Sequence, residues 1–232
     1  MFDGGETTSR PWRRHDLLHV APDVWAAALA RCPTIADLPL VQSWADRGWP
    51  VIVRRRFETE DPGLAPIGLP LPPAFGKRRL ALLVPPGGVL QRSSPPLLHV
   101  ATRVAERGWQ STIASLLALG ARTGVEPSAF GSLMWQHQTG LPYLSPSSDL
   151  DVLWPVPSGF DVVSLVFSIA ELQRRAPMPI DGEIVLADGV AVNWRELWMS
   201  CQAADRGSVL AKTMEGVRLL DIASLAGVGQ LV

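Results

Sequence analysis

Residues 129–154, "AFGSLMWQHQTGLPYLSPSSDLDVLW", combine a Gly-Ser pair with two aspartates that flank a single leucine. The end of the stretch alternates as a half-buried strand does, so Asp149 and Asp151 are predicted on one face, with Leu150 and Val152 in the core. Two carboxylates that close repel each other unless a cation or water separates the charges. The pattern therefore allows two interpretations, a divalent-metal clamp or an ordinary solvated strand edge.

Neighbouring motifs favour the metal clamp. Gly131 and Ser132 are predicted to end a strand and open a helix, where backbone N–H groups and a missing side chain let a phosphate approach. A later strand, "IDGEIVL", supplies Asp181 and Glu183 as candidates for a third carboxylate. Glu183 is preferred because it adjoins the apolar run of that strand. Hard oxygen ligands of this kind suit Mg²⁺ or Mn²⁺, which carboxylates share with substrate phosphates.

Two basic residues are candidates for binding phosphate oxygens. Lys212 lies in the strand-like "VLAKT", and Arg195 follows a predicted hairpin in "NWREL". The plain alternatives are a lysine whose stem lies along the surface and a surface arginine.

Composition excludes several classes of function. The formal net charge is -1, without the basic excess that nucleic-acid binding usually requires. Two cysteines, Cys32 and Cys201, are too few for a disulfide framework. The N-terminus has no apolar signal-like run, and the most apolar stretch, "FDVVSLVFSIAEL", is too short to cross a bilayer. We therefore expect a cytoplasmic protein with no nucleic-acid or membrane partner.

Helices and strands are interspersed along the chain. Proline and glycine between residues 62 and 96 predict loops, with a domain boundary near residues 85–96. A helix is predicted at "SGFDVVSLVFSIAELQRR", where Ser158 and Asp161 resemble a capping box. A hairpin is predicted around Asp188-Gly189.

The N-terminal part carries two basic clusters, "RPWRRHD" and "GKRR". They are interpreted as a docking surface for an acidic protein partner, as a contact for part of the substrate, or as a solvated basic face. His15 is expected to be a structural, hydrogen-bonded histidine, although no partner is evident nearby in the sequence.

The Gly-Ser turn, the acidic pair and a third carboxylate on a later strand resemble the nucleotidyltransferase superfamily typified by DNA polymerase β. The resemblance implies an α+β fold: a nucleotidyltransferase-like domain at 91–232, with helices packed on a mixed sheet, and a smaller α/β domain at 1–90. It also implies two metal ions that activate a hydroxyl and neutralise a leaving pyrophosphate. The stretch between Ser132 and Asp149 is longer than is usual in that superfamily.

A closer resemblance is to the phosphoribosyl-dephospho-CoA transferases of the malonate decarboxylase system, also called holo-acyl-carrier-protein synthases. It rests on blocks in order from residue 13 to 213: "RRHDLLHV", "GLPLPPAFGKRRLAL", "FGSLMWQHQTGLPYLSPSSDLDVLW", "DGEIVLADGVAVNWREL" and "VLAKT". The long segment before "SDLD" is itself typical of this family. The resemblance implies that a serine of the apo acyl-carrier subunit attacks 2′-(5″-triphosphoribosyl)-3′-dephospho-CoA and releases pyrophosphate.

The same resemblance implies roles for single residues. Asp149 and Asp151 would be the catalytic, metal-binding pair, and Gly131 and Ser132 would contact the triphosphate. The third carboxylate stays open between Glu183 and Asp181, and Lys212 and Arg195 are candidates for phosphate neutralisation. Two alternatives remain for the function: a general nucleotidyltransferase that adenylylates a small molecule or a protein, and a non-catalytic module that binds the carrier protein.

Overall fold

The first half of the chain forms one antiparallel sheet. The computed structural model describes residues 11–32, 37–76, 78–203 and 207–225, so Lys77 and Arg10 of the basic clusters lie outside the described residues. The strands are β1 (Leu17–Val20), β2 (Val51–Val53), β3 (Ala65–Pro70), β4 (Arg79–Val84) and β5 (Val89–Ser93), in the order β4-β3-β2-β1-β5. Helices α1 (Pro22–Leu29) and α2 (Pro39–Gln42) connect β1 to β2.

The second half forms a six-stranded mixed sheet. Its strands are β6 (Ser128–Ala129), β7 (Leu150–Pro155), β8 (Ile180–Val185), β9 (Ala191–Asn193), β10 (Ser208–Lys212) and β11 (Val217–Asp221), in the order β11-β10-β9-β8-β7-β6. Its helices are α3 (Leu98–Ala101), α4 (Gln110–Thr123), α5 (Gly131–Thr139), α6 (Val162–Gln173) and α7 (Trp194–Gln202). Two sheets with helices packed on them confirm the expected α+β class.

Strands β7 and β8 form the one parallel pair among the described strand pairs, and they place the acidic residues. A parallel pair needs a crossover, which α6 provides through its buried apolar residues. As predicted, Leu150 and Val152 are fully buried beneath β7. The register pairs Asp151 with Asp181 and Val152 with Gly182.

Gly182 allows β7 and β8 to approach each other at this point. Its φ is +136°, and a Cβ there would collide with the backbone carbonyl of Val152. Only glycine combines that backbone conformation with the missing side chain. The neighbouring Asp181 is therefore held beside β7 by a position that tolerates no other residue.

The Pro- and Gly-rich segments are more ordered than predicted. Strands β3 and β5 run through stretches that the sequence indicated as loops. Strand β3 contains Pro66 and Pro70, which have no backbone N–H to donate. The strand tolerates them because β2 pairs with it only at Gly68 and Ile67. Pro66 contributes its carbonyl oxygen, which accepts from the N–H of Arg54.

Contacts between the two halves are specific. The Tyr143 hydroxyl donates to the carbonyl oxygen of Pro70 at 2.8 Å, and the rings of Trp44 and Trp135 lie 6.2 Å apart. No helix in the described part of the chain combines the length and apolar character that a membrane span requires.

The predicted hairpin at Asp188-Gly189 is confirmed, since β8 and β9 are antiparallel and the N–H of Leu186 donates to Val190. The predicted start of α6 is confirmed in part. Asp161 is the N-cap and accepts from the N–H of Ser164 at 3.0 Å, so the cap comes from Asp161 and not from Ser158.

Asp161→Ala should lower the free energy of unfolding by about 1 kcal/mol, because it removes an N-cap acceptor. Urea unfolding followed by circular dichroism measures the change. Ser158→Ala is the matched control and should leave stability near that of the wild type. Equal stability of Asp161→Ala and the wild type would contradict the capping role.

Candidate active site

A cavity of about 740 Å³ lies between the two halves of the chain. Its second-half wall carries the predicted motif residues Gly131, Ser132, Asp149 and Asp151. Strands β2–β4 line the opposite side, largely with apolar side chains, and Trp135 and Tyr143 contribute aromatic surface. The cavity thus joins a carboxylate pair to an apolar, aromatic surface.

Gly131 opens α5 directly against Asp151. Its φ is +58°, and a Cβ at this position would collide with the Asp151 carboxylate. The backbone N–H of the next residue, Ser132, hydrogen-bonds that carboxylate. The Gly-Ser pair and the second aspartate of the D-x-D motif therefore form one compact unit at a helix N-terminus.

Three aspartates converge beside this unit. Asp149 is exposed, whereas Asp151 and Asp181 are half-buried and adjacent in register. Asp181 is oriented by Asn193, whose side-chain amide donates to it at 2.9 Å. Burial, followed by the charges of Asp181 and Asp149, raises the pKa of Asp151 to about 7, although the Ser132 N–H opposes the shift.

The repulsion among these carboxylates is what a divalent cation would relieve. No three His, Cys, Asp or Glu side chains within the described ranges are arranged to hold a metal ion by themselves. A Mg²⁺ ion at Asp149 and Asp151 would thus need substrate or water oxygens as further ligands, which is its usual mode in phosphate chemistry. The donor set fits that use.

Glu183 is placed differently from the aspartates. It is 4% exposed and accepts from Lys212 Nζ at 2.8 Å, from His15 Nε2 at 2.8 Å and from Arg14 Nη2 at 3.1 Å. Burial alone would raise the pKa of Glu183, but the hydrogen bond and charge of His15, the charge of Arg14 and the Lys212 hydrogen bond outweigh it and hold the pKa well below its usual range. We call Glu183, Arg14, His15 and Lys212 the Glu183 cluster.

His15 has the partner that the sequence did not reveal. Besides its bond to Glu183, its ring packs edge-on against Phe130, with centroids 4.7 Å apart. The backbone φ of His15 is 73°. Among the described residues, His15 is the one non-glycine residue in the left-handed region, where side chains other than glycine are strained. Burial lowers the pKa of His15 despite the hydrogen bond between its Nε2 and Glu183.

The two predicted phosphate-binding cations lie in different surroundings. Lys212 joins the Glu183 cluster and lines a second cavity beside the first. The Arg195 guanidinium instead donates to the carbonyl oxygen of Ile180 at 2.8 Å and to Gln173 at 3.2 Å, and it lies over the Trp194 ring. Arg195 lines neither of these cavities, and its phosphate contact stays a prediction.

Asp151→Asn should stabilise the metal-free protein at pH 8 by about 2 kcal/mol, because it removes a carboxylate whose charged form is unfavourable in the folded state. Each unit by which folding raises the pKa of Asp151 costs about 1.4 kcal/mol at this pH, and screening by solvent reduces the sum. The folded pKa lies above the unfolded one, so the wild type loses stability as pH rises from about 4 to about 7. The advantage of the variant should therefore grow from pH 5 to pH 8.

Melting temperatures in EDTA across that range test this. Asp46→Asn, at an exposed position, is the control and should show no such trend. An advantage for Asp151→Asn that is the same at pH 5 and pH 8 would contradict the charge repulsion.

Glu183→Gln should lower the free energy of unfolding by about 3 kcal/mol at pH 7, because it leaves Arg14 and Lys212 without their buried counter-charge. Chemical denaturation measures the loss. Glu171→Gln removes an exposed carboxylate that pairs with Arg175 and should change stability by less than about 1 kcal/mol. Similar losses in the two variants would show that the Glu183 cluster is not a structural anchor.

Comparison with known families agrees with this arrangement. Residues 13–95 match the family described as the phosphoribosyl-dephospho-CoA transferase MdcG N-terminal domain, and residues 96–223 match its C-terminal domain. No solved structure matches the chain at a significant level.

Curated relatives carry the same description. A phosphoribosyl-dephospho-CoA transferase of Bradyrhizobium diazoefficiens is 42% identical over 212 residues, covering 91% of each chain. One of Xanthomonas campestris pv. campestris is 37% identical over 89% of this chain and 93% of its own, and one of Xanthomonas euvesicatoria pv. vesicatoria is 34% identical over 91% and 95%. The chain, with its cleft built from both matched regions, therefore belongs to the phosphoribosyl-dephospho-CoA transferase family.

Proposed function

We propose that this protein transfers the phosphoribosyl-dephospho-CoA group from 2′-(5″-triphosphoribosyl)-3′-dephospho-CoA to a serine of the apo acyl-carrier subunit of malonate decarboxylase, with release of pyrophosphate. The family supports the transferase activity and the group transferred. The carrier and the leaving pyrophosphate are taken from the sequence resemblance, and the divalent metal is an inference from the carboxylates of the site. The observation that supports them most is the unit of Gly131, Ser132 and Asp151 facing the cleft with Asp149.

In this proposal the serine oxygen of the carrier forms a bond to the α-phosphorus of the donor. The bond from that phosphorus to the bridging oxygen of the pyrophosphoryl group breaks, and pyrophosphate leaves with the electron pair. The serine proton passes to the third carboxylate of the site and on to water. Gly131, lacking a side chain, leaves room for the Asp151 carboxylate at the N-terminus of α5, where backbone N–H groups can meet the phosphoryl oxygens.

A divalent metal held by Asp149 and Asp151 would lower the pKa of the attacking hydroxyl and neutralise charge on the phosphates. The third carboxylate of this site is, in our proposal, Asp181 in preference to Glu183. Asp181 lies in register with Asp151, whereas Glu183 already accepts hydrogen bonds from three basic side chains.

The cleft can hold both parts of the donor. Trp135 is 3% exposed and stacks on Tyr143 with centroids 6.0 Å apart, at the edge of the cavity. Aromatic and apolar surface of this kind suits the adenine ring and the pantetheine chain of the dephospho-CoA portion. The carboxylates then face the triphosphate end.

The proposal is tested by mixing the protein with apo carrier subunit, the triphosphoribosyl donor and Mg²⁺ and recording the intact mass of the carrier. A gain equal to the phosphoribosyl-dephospho-CoA group is expected. The gain should disappear with EDTA and fall at least about a hundredfold in rate with Asp149→Ala, since metal-held charge stabilisation is lost. Asp46→Asn should behave as the wild type.

Other outcomes decide between the alternatives. A carrier or small-molecule gain equal to AMP, with ATP as donor, would indicate a general nucleotidyltransferase, and carrier binding without any gain would indicate a non-catalytic module. Among folded variants, transfer lost in Asp181→Asn and kept in Glu183→Gln supports Asp181 as the third carboxylate. The reverse result restores Glu183 to that role.

A further inference from the structure

A second cavity, of about 340 Å³, adjoins the active-site cleft and shares Ile52, Arg54 and Phe57 with it. We call it the basic pocket because its ionisable lining residues are all basic: Arg14, His15, Arg54, Arg55 and Lys212. The mechanism proposed above assigns this pocket no role.

The positive charges of the basic pocket exceed their counter-charges. Arg14 and Lys212 share one carboxylate, that of Glu183, and Arg54 pairs with Glu60 at 2.5 Å. The exposed Arg55 side chain makes no ion pair with any described residue. Four cations thus face two carboxylates, which leaves two positive charges for an anion.

One donor in this pocket is buried and unpaired. Arg14 Nη2 bonds Glu183, but Nη1 has no hydrogen-bond partner in the described structure and is inaccessible to solvent. A buried, unsatisfied, charged donor is unfavourable. An anion in the pocket, reached by a small shift of the Arg14 side chain, would satisfy it.

The position of the pocket relative to the carboxylates fits a chain of phosphates. Glu183, which holds Arg14 and Lys212, is two residues along β8 from Asp181, a separation of roughly 7 Å in a strand. Asp181 is in turn the register neighbour of Asp151. The cations held by Glu183 therefore begin about two strand residues, roughly 7 Å, from the carboxylates where the α-phosphate is proposed to react.

We propose that the basic pocket binds the terminal pyrophosphoryl group of the donor and holds it as it leaves, with Arg55, Arg14 and Lys212 as the contacting cations. The inference rests on the proposed function. It assigns the leaving-group site mainly to residues of the first half of the chain, while the carboxylates come from the second half. Charge-assisted hydrogen bonds from arginine and lysine are the contacts that suit such an oligophosphate.

The proposed donor contains two diphosphate groups that the basic pocket could bind. One is the pyrophosphoryl end, and the other is the diphosphate that joins the adenosine and pantetheine parts of dephospho-CoA. Proximity to Asp181 and Asp151 favours the pyrophosphoryl end. Inorganic pyrophosphate and dephospho-CoA are therefore the two probes that separate these sources.

The test is calorimetric titration of the full chain with each probe, in EDTA and at fixed ionic strength, which needs no turnover. Pyrophosphate should bind the wild type, and Arg55→Ala should raise its Kd about tenfold, the loss expected for one charge-assisted contact. Lys212→Met should weaken pyrophosphate at least as much. Both variants should leave the Kd of dephospho-CoA within about twofold of the wild type.

Arg122→Ala is the matched control, since this exposed arginine of α4 lies away from the pocket lining, and it should bind pyrophosphate as the wild type does. Arg55 is exposed, so its replacement tests the pocket without removing a buried ion pair. Thermal unfolding checks that Lys212→Met, which disturbs the Glu183 cluster, is folded.

Two results would overturn the inference. One is no pyrophosphate binding by the wild type, or an unchanged Kd in folded Arg55→Ala and Lys212→Met. The other is a Kd for dephospho-CoA that rises in Arg55→Ala while that for pyrophosphate does not, which would assign the pocket to the coenzyme diphosphate. Either result combined with a normal carrier mass gain leaves the proposed function intact. Pyrophosphate binding with no mass gain removes the proposed function and the leaving-group role with it, and leaves only an oligophosphate-binding pocket.

Discussion

The buried carboxylate of Glu183 is the constraint on which the arrangement of the two halves depends. It draws Arg14 and His15 from the first half and Lys212 from the second half to one point. A buried carboxylate without such partners would be strongly unfavourable, so the two sheets must meet here for the charge to be compensated. The cleft between the sheets follows from that meeting.

The aspartates beside it have the opposite electrostatics. Asp151 and Asp181 are close to each other and to Asp149, and no cation among the described residues compensates them as Arg14, His15 and Lys212 compensate Glu183. Asp181 and Glu183, two positions apart on β8, therefore lie in different electrostatic environments. Glu183 is satisfied by the protein, while Asp181 accepts a hydrogen bond from Asn193 and lies in register with Asp151.

Local pattern was enough to predict much of this from the sequence. The alternation in "SDLDVLW" predicted strand β7 with Leu150 and Val152 inward, and the Gly-Ser pair predicted the start of α5. Both rest on neighbours within a few residues, where periodicity and backbone freedom decide the structure.

The contacts that the sequence did not reveal are long-range. His15 and Arg14 meet Glu183 across 168 and 169 positions, and no local pattern encodes such a meeting. Strand β3 was missed because proline and glycine usually interrupt strands, whereas here the pairing avoids the missing N–H groups. Strand β5 was missed because it is short and lies between two segments rich in proline and glycine. Arg195 had the chemistry for phosphate binding, but the register of α7 directs it to Ile180 and Gln173.

The strained backbone of His15 has a consequence for how this family can diversify. Because His15 contacts both Glu183 and Phe130, the residue before Gly131, a change of loop geometry at the N-terminus is transmitted to the helix that presents the Gly-Ser pair. Residues 13–95 of a relative could therefore replace those of this chain without disturbing the Gly-Ser pair only if they supplied the same contacts to Glu183 and Phe130.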